Sequence, residues 1–194
     1  MEAAATNRAM TVDADRDLVE RHRRGEEAAF TELYGRYGAM VFNVALRLSG
    51  NPDEATDLTQ ETFLKIHRHL GGFRGRSALR TWIYRVAINC CRSRYRRQQT
   101  WHSRFELGSG ATLEQLADRR RDPEQRAIAR STGEVVQAAL EALPLVYREA
   151  VILREIEGLA YGEIAEVLGV RVGTVRSRIA RGRERLRSLL EDSR

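Results

Sequence analysis

Three groups of side chains in this sequence have the types and spacing to do chemistry, and in each the chemistry is recognition. The first lies between Gly173 and Leu190. At about 100° per residue, Val175, Ile179, Leu186, Leu189 and Leu190 fall along one side of a helix. Ser177, Ala180, Arg181 and Glu184 fall opposite, with Arg176 and Arg187 beside them. Such a helix has an apolar back, small residues that allow close approach, and arginines that reach guanine edges or phosphates. Upstream, Ala160 to Gly169 and then Gly173-Thr174-Val175 read as two short helices about a glycine turn, the layout of a helix-turn-helix. A merely arginine-rich terminal helix does not require that turn.

The second group sits on a helix opened by Asn51. Ala55, Leu58, Thr62 and Ile66 make its apolar stripe, while Asp53, Asp57, Gln60 and Glu61 gather on the other side with Leu64 among them. An apolar residue inside an acidic face suits docking to a basic protein partner. A solvated face with one stray leucine reads equally well from periodicity. The third group follows Ser77, where Trp82, Asn89, Ser93 and Arg96 share a face away from Ile83 and Val86. There arginine tracks phosphate, rings stack and amides read exposed base edges, as in single-strand binding. The competing reading puts Trp82 and Tyr84 in the core.

Signs of catalysis are missing. Gly71 is not followed by the Gly-Lys-Ser/Thr of a phosphate-binding loop, and Gly108 and Gly110 lack a third glycine. His67 and His69 stand two apart on a helix and cannot clamp one metal. The only cysteines, Cys90 and Cys91, are adjacent, which suits packing as small hydrophobes better than a disulfide or a metal site. No enzyme, cofactor or metal is therefore expected.

Charge agrees with the grouping. Of 33 basic residues only Lys65 is lysine. Residues 71–104 hold nine arginines and no acid, and residues 171–194 hold eight bases against three acids. The segments around them are net acidic, so the chain carries two separate footprints for a polyanion. Arginine-favouring codons explain arginine over lysine, but not 34 residues without an acid. No run of about 18 apolar residues occurs, and Met1 to Met10 is polar, so neither membrane insertion nor a signal peptide is expected. A cytoplasmic protein is the default.

The elements needed to position these groups are helices. At 194 residues with 42% hydrophobic and 7% aromatic content, the chain is one domain or two small ones, and poor in strand signals. A short helix is expected around Leu18 and Val19. Phe30, Leu33, Tyr34, Tyr37, Val41, Val44, Ala45 and Leu48 then form one stripe, ended by Gly50. Asn51 caps the next helix, with Pro52 in its first turn and Glu54 completing a capping box, and Gly71-Gly72 stop it after about Leu70. Ser77 caps the third. Periodicity fails from 99 to 130, where Gly108-Ser109-Gly110 and the charge run 118–123 read as a linker. Beyond it come a helix through Val135, Val136, Ala139, Leu140 and Leu143, and one opened by Pro144 carrying Val146, Ala150, Leu153 and Ile156. Gly158 and Gly169 bracket a third from Tyr161 to Leu168, before the terminal helix. The expectation is all-α: residues 13–98, a flexible linker 99–130, and a helix-turn-helix domain over 131–192.

These motifs, in this order, resemble the extracytoplasmic-function (ECF) group of bacterial sigma factors, members of the sigma-70 family of RNA polymerase initiation subunits. Asp53-Glu54-Ala55-Thr56-Asp57-Leu58-Thr59-Gln60-Glu61-Thr62-Phe63-Leu64 is similar to the family's polymerase-docking helix. The segment from Phe73-Arg74-Gly75-Arg76-Ser77 through Arg80-Thr81-Trp82-Ile83-Tyr84-Arg85 to Asn89 looks like its strand-opening region. Gly173-Thr174-Val175-Arg176-Ser177-Arg178-Ile179-Ala180-Arg181-Gly182-Arg183 is close to the motif of its second domain. Two departures stand out: Ser93 replaces a frequent aspartate, and Trp82-Ile83 stands where primary sigma factors carry a tryptophan pair.

The resemblance implies that Asp53, Asp57, Gln60, Glu61 and Leu64 meet the coiled coil of the largest polymerase subunit. It implies that Arg74, Arg76, Ser77, Arg80, Trp82, Arg85, Asn89 and Arg96 hold the opened minus-ten element. Thr174, Arg176, Ser177, Arg178, Arg181 and Arg183 would read the minus-thirty-five element as duplex. It also implies contact with the flap region of the second-largest subunit, and an anti-sigma protein as partner. A one-component helix-turn-helix regulator with an N-terminal ligand or dimerisation domain is the alternative, but such a domain has no need of the acid-free block 71–104.

Overall fold

The structure, a computed structural model, describes the backbone of residues 2–106 and 132–191, with side chains described over 13–99 and 133–191. Residues 107–130 of the expected linker and the side chains of the N-terminal ten residues lie outside these. Among the described residues every regular element is helical. The chain runs α1 (Glu2–Arg23), α2 (Glu27–Ser49), α3 (Pro52–His69), a 3-10 turn (Leu70–Gly72) and α4 (Leu79–Glu106). After the linker come α5 (Thr132–Ala142), α6 (Leu145–Val151), a π turn (Ile152–Ile156), α7 (Tyr161–Leu168) and α8 (Val172–Glu191).

Local chemistry explains most boundaries. Asn51 Oδ1 accepts from the backbone N–H groups of Asp53 and Glu54 at 2.9 and 3.0 Å, satisfying two orphan donors of α3. The capping box does not close: Glu54 Oε1 instead accepts from Gln98 Nε2 at 2.8 Å, which ties α3 to α4. Nor does Ser77 cap α4, because Ala78 precedes its first turn and accepts from Trp82 N–H. α4 also overruns the expected break at 99 and continues to Glu106. α7 has the expected bounds, Tyr161–Leu168. Gly169 ends it at φ 67°, a left-handed conformation natural to glycine.

The first domain packs α1 to α4 around Leu18, Leu33, Val41, Phe63, Ile66 and Ile83. Buried Asp15 secures α1, accepting from Tyr37 Oη at 2.7 Å and Arg36 Nη1 at 3.0 Å. Ala55, Leu58, Thr62 and Ile66 are buried as their spacing requires, whereas Tyr34 is half exposed, its ring 4.6 Å from that of Phe63. Cys90 and Cys91 are buried and unpaired, and burial pushes the Cys91 thiol up from its ordinary value.

The second core is not confined to the second domain. Val44, Ala45, Leu48, Tyr84 and Ile88 join Leu140, Leu143, Ile152, Ile164 and Leu168 in one buried cluster, so α2 and α4 pack on α5 and α7. Two helical domains are present as expected, but they share an apolar interface. Each half alone is small, and burying surface between them is a direct route to a larger core. Within the second domain, α6 and α8 approach closely at Gly182, where a Cβ would lie 2.5 Å from Val151 Cγ2. Gly182→Ala should lower stability by about 1–3 kcal/mol through overpacking, more than the roughly 1 kcal/mol gained in helix propensity. The urea midpoint measures it, and an unchanged midpoint would mean that the two helices part freely.

Candidate functional site

The acidic face forms on α3 as its spacing predicts. Asp53, Asp57 and Gln60 are exposed, and Leu64 is 59% exposed among them. Glu61 differs: it accepts from Lys65 Nζ, one turn on, at 2.8 Å and pairs with Arg97 at 3.5 Å. The lysine holds the Glu61 carboxyl below its ordinary range. Arg94 approaches Asp57 at 3.8 Å. The face is thus flanked by α4 arginines and keeps its apolar residue uncovered within the chain.

The basic block builds a second surface. Arg74, Arg76, Arg80, Arg85, Asn89 and Arg96 are exposed, and Ser77 is partly so. Trp82 and Tyr84 divide the two readings between them. Tyr84 is fully buried, while Trp82 is half-buried with its ring 5.6 Å from that of Phe73. Together Phe73, Arg74, Arg76, Trp82 and Arg85 line a groove of about 490 Å³ whose wall also includes Glu166 of α7.

Periodicity missed two residues here. Arg23, at the end of α1, donates to the carbonyls of Gly71 and Phe73 at 2.9 and 2.5 Å and so holds the α3–α4 loop. A contact across about 50 positions leaves no local signal. Phe73 enters the sequence reading only through the segment that carries the family resemblance.

The helix-turn-helix arrangement is present in α7 and α8. Val175 and Ile179 are buried, and Arg176, Ser177, Ala180, Arg181, Glu184 and Arg187 are exposed. Arg176 lies 5.9 Å from the Tyr161 ring, a contact that stiffens it. Arg178 and Thr174 are half-buried, and the Ser177 hydroxyl donates to the Thr174 carbonyl at 2.9 Å. Arg183 is engaged: Nε and Nη2 donate to Glu155 Oε1 at 3.0 and 2.6 Å. Among the described residues no His/Cys/Asp/Glu cluster fits a metal ion, and no helix is long and apolar enough to cross a membrane.

Comparison with known proteins supplies the context for this geometry. The sequence matches Sigma-70 region 2 over residues 33–100 and Sigma-70, region 4 over residues 133–186. It is 37% identical over 186 residues to the RNA polymerase sigma-H factor of Pseudomonas aeruginosa, covering 94% of this chain and 96% of that protein. Against the ECF RNA polymerase sigma-E factor of Escherichia coli K12 it is 37% identical over 178 residues, covering 88% and 91%.

Two solved structures share the fold. CnrH in complex with the cytosolic domain of CnrY aligns with TM-score 0.67 at 27% identity, covering 93% of this chain and 99% of that one. The sigma factor RpoE in complex with the anti-sigma factor NepR, from Bartonella quintana, gives 0.63 at 26%, covering 85% and 98%. The first matched region contains the acidic face and the arginines of the groove, and the second contains Arg176, Arg181 and Arg183 of α8. A one-component regulator accounts for the second alone, and the chain belongs to the ECF group of the sigma-70 family of RNA polymerase sigma factors, non-catalytic factors of transcription initiation.

Proposed function

We propose that this sigma factor divides its work among three surfaces, each on its own face of the chain. Residues 13–98 dock on the coiled coil of the largest polymerase subunit through Asp53, Asp57, Gln60, Glu61 and Leu64. The groove of the α3–α4 loop and the face of α4 bearing Arg80, Arg85, Asn89 and Arg96 hold the opened minus-ten strand, with Trp82 against its bases. Residues 131–192 meet the flap region of the second-largest subunit and read the minus-thirty-five duplex with α8, using Thr174, Arg176, Ser177, Arg178, Arg181 and Arg183. An anti-sigma protein restrains the factor. The support for that partner is that CnrH was solved with CnrY, and RpoE with NepR. The work takes place in the cytoplasm, where polymerase and promoter are.

One observation carries the opening role: a helix with no acid before its last residue presents Asn89 and several arginines to solvent beside a half-exposed tryptophan. Unpaired bases offer π-faces and amide-readable edges that duplex DNA hides. Transcription with core polymerase on a genomic fragment library tests the overall reading and reveals the promoters. For the opening step Asn89→Ala is the better probe, because Asn89 is exposed and its loss leaves the core intact. Trp82→Ala also removes packing on Phe73. Asn89→Ala should reduce permanganate reactivity of thymines near the start site several-fold or more, as expected for one lost hydrogen-bonded contact to a base edge of about 1–3 kcal/mol. Binding of the upstream duplex should not change. Undiminished reactivity would remove Asn89 from the opening face.

A further inference from the structure

The basic end of α1 converges on carbonyl groups at the end of α3 and in the loop behind it. His22 Nε2 lies 3.2 Å from the His67 carbonyl. Arg23 Nε donates to the Gly71 carbonyl at 2.9 Å, and its Nη2 donates to the Phe73 carbonyl at 2.5 Å. A helix leaves its last carbonyls without partners of its own, and cations beside them are favourable.

Arg23 stands on a fixed base. The neighbouring Arg21 is ion-paired to Glu26 and Glu32 at 3.0 Å each, which ties the end of α1 to the start of α2. Leu18 and Val19 are buried in one cluster with Leu70 of the 3-10 turn. The remaining nitrogen of Arg23, Nη1, donates to Glu20 one turn back. All three guanidinium nitrogens are therefore engaged within the chain, although the side chain borders solvent.

The loop that Arg23 grips has little to order itself. Gly71, Gly72 and Gly75 stand close together in it, and glycine loses more backbone freedom on ordering than any other residue. Yet this loop supplies Phe73, Arg74, Arg76 and Ser77 to the groove, opposite Trp82 and Arg85 of α4. Phe73 joins the two parts: Arg23 holds its carbonyl, and its ring lies 5.6 Å from that of Trp82. A loop left unfixed would have to be ordered by the strand, at a cost to binding. Loose support also blurs discrimination, because the groups that tell one base from another must hold their places.

We propose that Arg23 is a positioning residue of the strand-binding groove. It holds the Gly71 and Phe73 carbonyls, fixes the α3–α4 loop and, through Phe73, the Trp82 ring, and so sets which bases the groove accepts without touching the strand. This rests on the minus-ten reading given above. The guanidinium shape matters, since Nε and Nη2 serve two carbonyls as a planar fork, whereas a lysine ammonium carries the same charge at a single point.

The test uses holoenzyme assembled from the full chain and core polymerase, with a pool of short single-stranded DNA of random sequence. Retained strands are sequenced, and retention is measured over a range of salt concentrations. Arg23→Lys keeps a cation at the end of α3 and so preserves the fold, which circular dichroism checks. Arg23→Lys and Arg23→Gln should each lower retention of the preferred strands about tenfold, flatten the base preference and leave the salt slope unchanged. In a Trp82→Ala background the same substitutions should cost little more, because residues that act through one shared contact are not additive. A phosphate contact behaves otherwise: lysine would replace arginine, and Arg23→Gln would reduce the salt slope by about 0.7 on a single strand. That pattern would overturn the proposal, as would full additivity with Trp82→Ala or an unaltered base preference in Arg23→Gln. Wild-type holoenzyme that retains strands no better than core polymerase alone would instead overturn the minus-ten reading, and the proposal with it.

Discussion

Asp57→Arg combined with Leu64→Ala is expected to weaken binding to core RNA polymerase by about 2–6 kcal/mol, taking each change at roughly 1–3 kcal/mol for a central interface residue. The two substitutions remove different things. Leu64 is the apolar residue of the proposed docking face on α3, more than half exposed and outside both buried clusters. Its truncation takes area from the interface and none from the core. Asp57 supplies negative charge, and reversing it sets a cation 3.8 Å or so from Arg94, in a face that a basic partner would then avoid.

Glu61 should matter less than its charge suggests. Lys65 and Arg97 already hold it, and any partner cation must compete with them. Folding should be unchanged, because the cap at Asn51 and the stripe through Leu58 and Ile66 are untouched. Fluorescence anisotropy of labelled chain titrated with core polymerase measures the loss, and circular dichroism checks the fold. An unaltered affinity in a folded double variant would take this face out of the docking model.

What the sequence made legible, and what it hid, divides along one physical line. Features set within a single helix were readable. The Asn51 cap, the bounds of α7 between Gly158 and Gly169, the inward Val175 and Ile179 and the outward Arg176 and Arg181 all derive from periodicity and end chemistry. Features set by two helices meeting were not. Glu149 and Arg92 are 57 positions apart, and each looks like ordinary helix surface in its own segment, so nothing local marks them as a buried pair. Tyr84 was open between core and stacking for the same reason, since its place depends on the second domain covering α4.

The stripe after Pro144 failed for another cause. Val146, upstream of any irregularity, is already 42% exposed, and Glu157 N–H bonds to the Ile152 carbonyl, an i→i+5 turn that adds a residue and leaves Ile156, within it, half exposed. The same turn sends Glu155 to Arg183 and Glu157 to Tyr84, on opposite sides. The assignment of site residues owes most to the family resemblance. Spacing alone left the acidic face undecided, and it is the chain-long match that supplies a partner for it.

Replacing Arg176 and Arg181 together should do more to promoter choice than to promoter affinity in general. Both guanidinium groups stand on the exposed side of α8, away from the buried line through Val175 and Ile179. A bidentate arginine–guanine contact discriminates by about 1–3 kcal/mol, whereas a phosphate contact adds affinity on any sequence and about 0.9 to the salt slope. So Arg176→Ala with Arg181→Ala should relax preference at particular upstream bases, by up to tenfold or more at each. Arg183 supplies the contrast. Its guanidinium is bound to Glu155, so Arg183→Ala should weaken all sequences alike and only modestly, with a shallower salt slope. Glu155→Gln releases that arginine and should strengthen binding to all sequences alike. Holoenzyme binding to a library randomised over the upstream element, repeated at two salt concentrations, separates these outcomes. Uniform loss with intact base preference in the Arg176/Arg181 variant would make α8 a phosphate clamp. Specificity would then have to come from the shape of the duplex or from the first domain.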